Sequence, residues 1–503
     1  MELLSNLGLG FSVAGSFANL AFCLIGAILG TLIGVLPGIG ATATIAMLLP
    51  ITFQLEPVSS LIMLAGIYYG AQYGGSTTAI LINMPGESSS AVTAIDGYQM
   101  ARKGRAGAAL AICAIGSFFA GTVSTFLVAI FAPWLTEQAL KFGAAEYFSL
   151  MVLGLVMSVV LAHGSIVKAL AMVVLGLLLG VVGTDIYTGT PRFTMGITEY
   201  ADGLNFVALA VGVFGIAEIL RNLEDESETR EVMTASVRNL WPTREDFRAM
   251  VGPVLRGTGI GSLLGILPGG GAILASFASY TMEKKISKNP QEFGKGAIAG
   301  VAGPESANNA GAQTSFIPLL TLGIPANPVM ALMIGAMIIQ GIVPGPSVVT
   351  DQPELFWGII ASMWIGNLML VVLNLPLIGL WVKLLTVPYY ILFPIIMAMC
   401  SIGVYSVASN TFDLYAVAFF GLLGYLMSKL RFEPAPLLLG FVLGPLLEEN
   451  LRRAMILSRG DATTFVTRPI SLTLLLMSLG VLVLVLLPAI RKGRDEVFVE
   501  SEG

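Results

Sequence analysis

The residues best placed for chemistry are a duplicated glycine-proline run, each copy followed by small polar side chains. The first run reads GAILGTLIGVLPGIG, from Gly26 to Gly40; the second reads GTGIGSLLGILPGGG, from Gly257 to Gly271. Gly26, Gly30, Gly34, Pro37, Gly38 and Gly40 recur as Gly257, Gly261, Gly265, Pro268, Gly269 and Gly271, every pair 231 residues apart. Glycine at four-residue spacing clears one helix face for close backbone approach. Proline removes a backbone donor and clashes with the preceding turn, and the glycines that follow permit turns other residues resist. The pattern predicts a helix that stops or kinks inside an apolar layer. Broken helix ends offer N–H groups to anions and carbonyls to cations.

Polar stretches follow both runs. They are YYGAQYGGSTTAILINMPGESSS, from Tyr68 to Ser90, and GPESANNAGAQTSFIPLLTLGIPANP, from Gly303 to Pro328. Both hold small polar residues, then an apolar stretch, then Met-Pro-Gly or Ile-Pro-Ala, and a second break is expected in each. Facing lipid, these side chains would be costly, so they are expected to line an internal cavity. The candidate substrate-binding residues are Gly38, Gly40, Ser76, Thr77, Thr78, Asn83, Gly269, Gly271, Asn308, Asn309, Gln313 and Thr314. Paired broken helices in two halves point to a transporter site.

The charged candidates are few. Glu87 and Glu305 follow Pro-Gly and Gly-Pro steps; buried, either can hold a cation or proton, and at a membrane boundary neither need do so. Asp96 reads as a loop anchor. Asp185, Arg192, Glu199 and Asp202 read as a structural connector. Lys168 is expected to snorkel to the interface, and His163, the single histidine, reads as a polar cap between helices before a proton shuttle. No cationic residue sits inside the two polar stretches. An anion there would be held by backbone N–H groups, hydroxyls, amides and bound cations.

The elements that must position these residues are membrane helices. The 503 residues are 55% hydrophobic and only 11% charged, less than half the charged share usual in soluble domains. No Asp, Glu, Lys or Arg occurs from Leu3 to Leu55, from Ala106 to Thr136, or from Ser306 to Thr350, and a bilayer span needs about 20 mostly apolar residues. The fold class is therefore an all-α polytopic membrane protein with two pseudo-repeated halves and broken or re-entrant helices. We expect a first repeat half over 1–220, a polar connector over 221–249, a second half with terminal spans over 250–490, and a charged tail over 491–503. About 10–12 crossings are expected, with 437–447 short enough to be re-entrant. Three basic groups are assigned to the cytoplasmic side: Arg102, Lys103 and Arg105; Arg452, Arg453 and Arg459; and Arg491, Lys492 and Arg494. The loop after the first run holds Glu56 and no base, whereas its counterpart holds Lys284, Lys285, Lys288 and Lys295. That asymmetry favours inverted repeats.

Several classes are set aside. Cys23, Cys113 and Cys400 lie far apart and form no CxxC pair. There is no HExxH motif, no nucleophile–base constellation and no GxxxxGK[ST] loop, so neither an enzyme nor an ATPase is expected. Nothing calls for a nucleic-acid partner. The N-terminus has no basic start of the kind a cleaved signal peptide carries. A channel would also use polar broken helices, and a packed scaffold would leave them unexplained.

The chain resembles the large membrane subunit of the tripartite tricarboxylate transporter family. The resemblance rests on GTLIGVLPGIGATATIAMLLP, YGGSTTAILINMPGE, GILPGGGAILASFASYTMEKK, AGPESANNAGAQTSFIPLLTLGIP and GAMIIQGIVPGP, and covers nearly the full chain. It implies a three-component secondary uptake system in the bacterial cytoplasmic (inner) membrane. A periplasmic substrate-binding protein and a small multi-span membrane subunit are the implied partners. The implied function is import of small di- or tricarboxylates by sodium symport; a carboxylate channel or uniporter and a proton-coupled carrier are the alternatives. No cofactor is implied beyond sodium as coupling ion, and no individual metal ligand is assigned.

Overall fold

The structure, a computed structural model, describes residues 2–36, 40–160, 165–224, 241–267, 271–384 and 389–486. Gly38, Gly269, His163, Arg491, Lys492, Arg494 and most of the expected connector lie outside the described residues.

The first half begins with α1 (Glu2–Ala14), α2 (Phe17–Val35), α3 (Ala41–Thr52), α4 (Pro57–Ile82) and α5 (Ala91–Met100). The long α6 (Ala106–Ala139), α7 (Ala144–Val160) and α8 (Ile166–Gly180) follow, then a continuous helical run, α9 (Phe206–Glu224). The second half repeats the opening with α10 (Arg244–Leu264), α11 (Gly271–Ile286), α12 (Ile298–Thr314), α13 (Phe316–Leu322) and α14 (Pro328–Ile339). It closes with α15 (Pro353–Asn374), α16 (Tyr389–Ala408), α17 (Phe412–Lys429), α18 (Pro434–Leu457) and α19 (Pro469–Leu486). Among the described residues, five helical runs are by themselves long and apolar enough to cross a bilayer: 17–35, 88–139, 206–224, 353–374 and 412–429. The fold is all-α and polytopic, with repeated halves.

Glycine decides how the repeats pack. A side chain at Gly26, Gly30 or Gly34 of α2 would overlap the carbonyl oxygen of Met63, Ile67 or Ala71 in α4. In α10, a side chain at Gly257, Gly261 or Gly265 would overlap the carbonyl of Gly303, Ala307 or Gly311 in α12. Each partner pair is 240 residues apart, against 231 for the glycine runs themselves. The nine additional residues lie in the longer α11 and the 287–297 loop. The 240 spacing also relates Asn83 and Gly323, which end α4 and α13 in left-handed conformation at φ 56° and 68°.

Each polar stretch is helical through its small polar residues and then breaks. α4 runs unbroken through Tyr68–Ile82, and α12 runs through Pro304. Pro304 removes a single hydrogen-bond donor, and the helix continues past it to Thr314. The breaks fall at 83–87 and 323–327, inside the two stretches and on the Met-Pro-Gly and Ile-Pro-Ala steps, as expected.

The two repeats are inverted. Tyr68 of α4 packs on Phe316 of α13, whereas Ser76 of α4 meets Glu305 of α12, so the long central helices are antiparallel. The basic groups also divide between two ends. Arg105, at the start of α6, pairs with Asp246 of α10 at 2.6 Å. Beyond the other end of α6, Glu146 pairs with Arg468 at 3.0 Å. Arg459 and Arg468 both lie in the segment between α18 and α19. Arg452 and Arg453 are therefore on the opposite face from Arg102, Lys103 and Arg105, correcting their common cytoplasmic assignment. The cause is α18: the segment read as short at 437–447 is a 24-residue helix. Glu448–Arg452 and Glu449–Arg453 pairs at i,i+4 carry it onward into polar surroundings. Lys284, Lys285, Lys288, Lys295, Arg244 and Arg248 cluster near the Arg105 end, which the positive-inside rule makes cytoplasmic.

Two outcomes are expected. In intact cells, a membrane-impermeant thiol reagent should label Arg459→Cys in a background without native cysteines, and label Arg102→Cys only after permeabilisation. Gly261→Leu should lower the detergent unfolding midpoint by an amount worth at least ~1–3 kcal/mol, the usual cost of overpacking. Gly8→Ala, with open space around it, should leave that midpoint unchanged.

Candidate functional site

The glycines that follow the two proline-glycine steps are placed alike. Gly40 and Gly271 both have left-handed φ, 45° and 44°, and stand at the starts of α3 and α11. Each is closed by a side chain from the later break of its own repeat. Glu87 accepts the Ala41 N–H and lies beside Gly40. Asn327 lies beside Gly271 and accepts the Met330 N–H at 3.0 Å, capping α14. Its amide nitrogen donates to Tyr68 (3.1 Å) and Ser315 (3.2 Å). Glu87 and Asn327 are 240 residues apart, so equivalent positions carry a carboxylate in one repeat and an amide in the other.

Between the turns lies a buried polar layer. Glu305 is fully buried and accepts from Ser76 at 2.6 Å and Thr93 at 2.5 Å, which ties α12 to α4 and α5. Ser76 also lies 3.0 Å from the Gln72 carbonyl. One hydroxyl hydrogen cannot serve both acceptors. Either Ser76 donates to an ionised Glu305, or a protonated Glu305 donates to Ser76 and frees its hydrogen for Gln72. Asn309 donates to Ser117 of α6 at 2.7 Å, and Tyr73 donates to Asn367 of α15 at 2.7 Å. Both amide atoms of Asn308 and the Gln313 oxygen are buried without a hydrogen-bond partner.

The structure sorts the expected residues. Ser76, Thr77, Asn308, Asn309 and Gln313 are buried in the central layer, and Gly40 and Gly271 stand at the turns. Thr78 and Thr314 are buried but bond backbone carbonyls, including Gly34 at 3.1 Å and Gly261 at 3.5 Å, and so serve helix packing. Ser315 bonds Gly265 in the same way at 3.2 Å. Asn83 is exposed and ends α4. Asp96 is an anchor, as expected: it accepts the N–H groups of Gly296 (2.7 Å) and Ala297 (2.8 Å) and the Tyr280 hydroxyl. Lys168 reaches the Leu430 carbonyl at 2.6 Å.

Sequence reasoning missed Tyr68, Tyr73, Thr93, Ser117, Asn327, Asn367 and Asn374. Those on α6 and α15 lie in tracts that read as ordinary spans. Asn327 had a signal, its 240-residue offset from Glu87, visible only once the second register is known. Arg256, on α10, is held by both oxygens of Glu283 at 2.7 Å. At the opposite face, a separate cavity of ≈ 140 Å³ is lined by Asp185, Arg192, Glu448 and Arg452. Arg452 bonds Asp185 at 3.0 Å and holds its carboxyl down to about 2. Among the described residues, no three His, Cys, Asp or Glu side chains gather as a metal site.

Residues 20–439 match the family described as the tripartite tricarboxylate transporter TctA family. The chain belongs to this family. TctA proteins are non-catalytic membrane carriers, so this chain is a transporter subunit of the multi-pass inner membrane. A similar protein is the "Uncharacterized 52.8 kDa protein in TAR-I ttuC' 3'region" of Agrobacterium vitis, 69% identical over 502 residues and covering 100% of both chains. The "Uncharacterized protein in TAR-II ttuC' 3'region" of the same organism is 71% identical over 242 residues, 48% of this chain and 100% of its own length. No solved structure matches.

Glu305→Leu should be less stable than Glu305→Gln by ~1–3 kcal/mol, since the leucine leaves the buried Thr93 hydroxyl without its acceptor, whereas Ser76 can still turn to the Gln72 carbonyl. Denaturant unfolding of the two variants in detergent measures the difference.

Proposed function

We propose that this TctA-family chain is the substrate-carrying subunit of a binding-protein-dependent secondary transporter, which imports small di- or tricarboxylates by sodium symport. The observation that carries this reading is the pair of inverted turns around one buried polar layer. The α3 and α11 N-termini offer backbone N–H groups, the usual protein ligands for a carboxylate where no guanidinium is free. Gly38, Gly40, Gly269 and Gly271 let a substrate approach the backbone closely. Ser76, Thr77, Asn308, Asn309 and Gln313 supply hydroxyls and amides; Thr78, Thr314 and Asn83 support the surrounding helices. The unpaired amides of Asn308 and Gln313 favour a layer that a ligand completes.

The two turns differ in charge. Glu87 already occupies the first N–H of α3, so an anion reaching that turn must displace a carboxylate. The Asn327 turn carries no such repulsion and receives the substrate carboxylate. Sodium offsets the substrate's remaining charge. A periplasmic binding protein delivers the substrate and a small multi-span subunit completes the membrane complex, the arrangement with which the family works. The inverted halves then expose the layer to each side in turn.

The test is uptake into proteoliposomes holding this chain and the small subunit. Labelled citrate and a labelled dicarboxylate are offered with and without the binding protein, and with the inward sodium gradient imposed or collapsed. Accumulation that requires both the binding protein and the gradient is the expected result. Asn308→Ala should lower uptake roughly tenfold or more, the effect of one lost hydrogen bond to a charged group. Flux that runs only downhill and ignores sodium would sink the symport reading in favour of a channel or uniporter. Accumulation driven by a proton gradient alone would replace sodium as the coupling ion.

A further inference from the structure

A small cavity of ≈ 10 Å³ lies between α4, α6 and α15, lined by Tyr73, Ser76, Thr77, Ser117 and Asn374 among its polar groups. That volume holds about one water-sized occupant. We propose that this cavity binds one monovalent cation of sodium size, an assignment that rests on the sodium-symport reading and gives its coupling ion a place.

Three observations converge. First, the Asn374 side-chain oxygen is buried without any hydrogen-bond partner, although its amide nitrogen donates to the Leu370 carbonyl at 3.0 Å. A buried carbonyl oxygen with nothing to accept marks a missing partner, a donor or a cation. Second, the other polar groups are oxygens with lone pairs to spare. The Tyr73 hydrogen is committed to Asn367, and Ser117 accepts only from Asn309 among the protein groups around it. Third, the cavity has a carboxyl group nearby and no basic side chain in its lining. Glu305 lies 2.6 Å from Ser76, one hydroxyl away from the cavity, and the lining holds no Lys or Arg.

The charge count selects the ion. Five neutral oxygens beside one carboxylate match a single positive charge, whereas calcium-type sites gather several carboxylates directly on the ion. With a cation present, Ser76 turns its lone pair to the ion and its hydrogen to ionised Glu305. The cation then sits beside the seam between α4 of the first repeat and α12 of the second. Loading it ties Ser76, Thr77 and Asn374 together and stiffens the junction that must be correctly set for the halves to move. Empty, the junction keeps an unpaired Asn374 and an unbalanced Glu305 or its protonated form.

The test uses the full-length chain, co-purified with the small membrane subunit, in nanodiscs. Binding of radiolabelled sodium is titrated at constant ionic strength, with choline replacing sodium; choline is too large for the cavity. Saturable binding is expected for the wild-type chain. Asn374→Leu fills the cavity and removes the free oxygen, and Thr77→Val removes a hydroxyl at little change in shape. Each should raise the half-saturating sodium concentration roughly tenfold to a hundredfold, the value of one polar contact to a charge. Gly8→Ala, on the open surface, should leave it unchanged. Thr77→Val carries the test if Asn374→Leu fails to fold.

Saturable sodium binding that neither variant weakens would overturn the site while leaving sodium symport intact. Absence of saturable binding to the wild-type chain would mean a cavity that holds only water, and would overturn the inference. Binding that both variants weaken, with uptake indifferent to the sodium gradient, would uphold the site and sink only the symport reading.

Discussion

Direct contact between helix backbones, with no side chain between, is the constraint on which the rest of this structure depends. Lipid tails are as apolar as leucine, so burying apolar surface does little to hold membrane helices together. Close approach supplies the dispersion contacts instead, and only glycine allows it where α2 meets α4 and α10 meets α12. Once α4 and α12 are fixed against their glycine-striped partners, their remaining faces turn toward each other and toward α6. Those faces hold Ser76, Thr77, Glu305, Asn308 and Asn309, which explains how side chains so unsuited to lipid can occupy α4 and α12.

Inverted repetition gives the layer two similar ends, and a few substitutions make them chemically different. Gly40 and Gly271 have nearly the same backbone angle, and Asn83 and Gly323 end corresponding helices in the same conformation. Yet Glu87 corresponds to Asn327, Tyr68 to Asn308, and Tyr73 to Gln313 on the 240-residue spacing. Backbone geometry is thus shared between halves, whereas charge and hydrogen bonding are not. A directional carrier of an asymmetric load has use for this combination.

Charge is managed sparingly throughout. Glu283 is buried but held by a bidentate guanidinium, the geometry that best offsets desolvation. Asp96 is buried yet saturated by two backbone N–H groups and a tyrosine. Glu305 differs from both, since among the described residues its carboxyl group meets two hydroxyls and no base. Its carboxyl group is therefore the least compensated of the three.

The sequence by itself determined the membrane class, the duplication and the chemical character of the central layer. Those properties follow from local composition and period: charge-free tracts of bilayer length, glycines at four-residue spacing, and hydroxyl and amide side chains clustered after each run. Tertiary structure alone decided which polar groups share a site. Thr77 and Thr78 are adjacent in sequence, yet one lines the cavity and the other braces Gly34. Adjacent helical residues point about 100° apart, so their fate depends on which neighbour each face meets. Ser117, Asn367 and Asn374 gave no sequence signal, because a single polar residue in an apolar helix gains meaning only from what packs opposite. The same holds for the ends of the bundle: the sign of a charged group is written in the sequence, but the face on which Arg452 emerges was set by the length to which α18 extends.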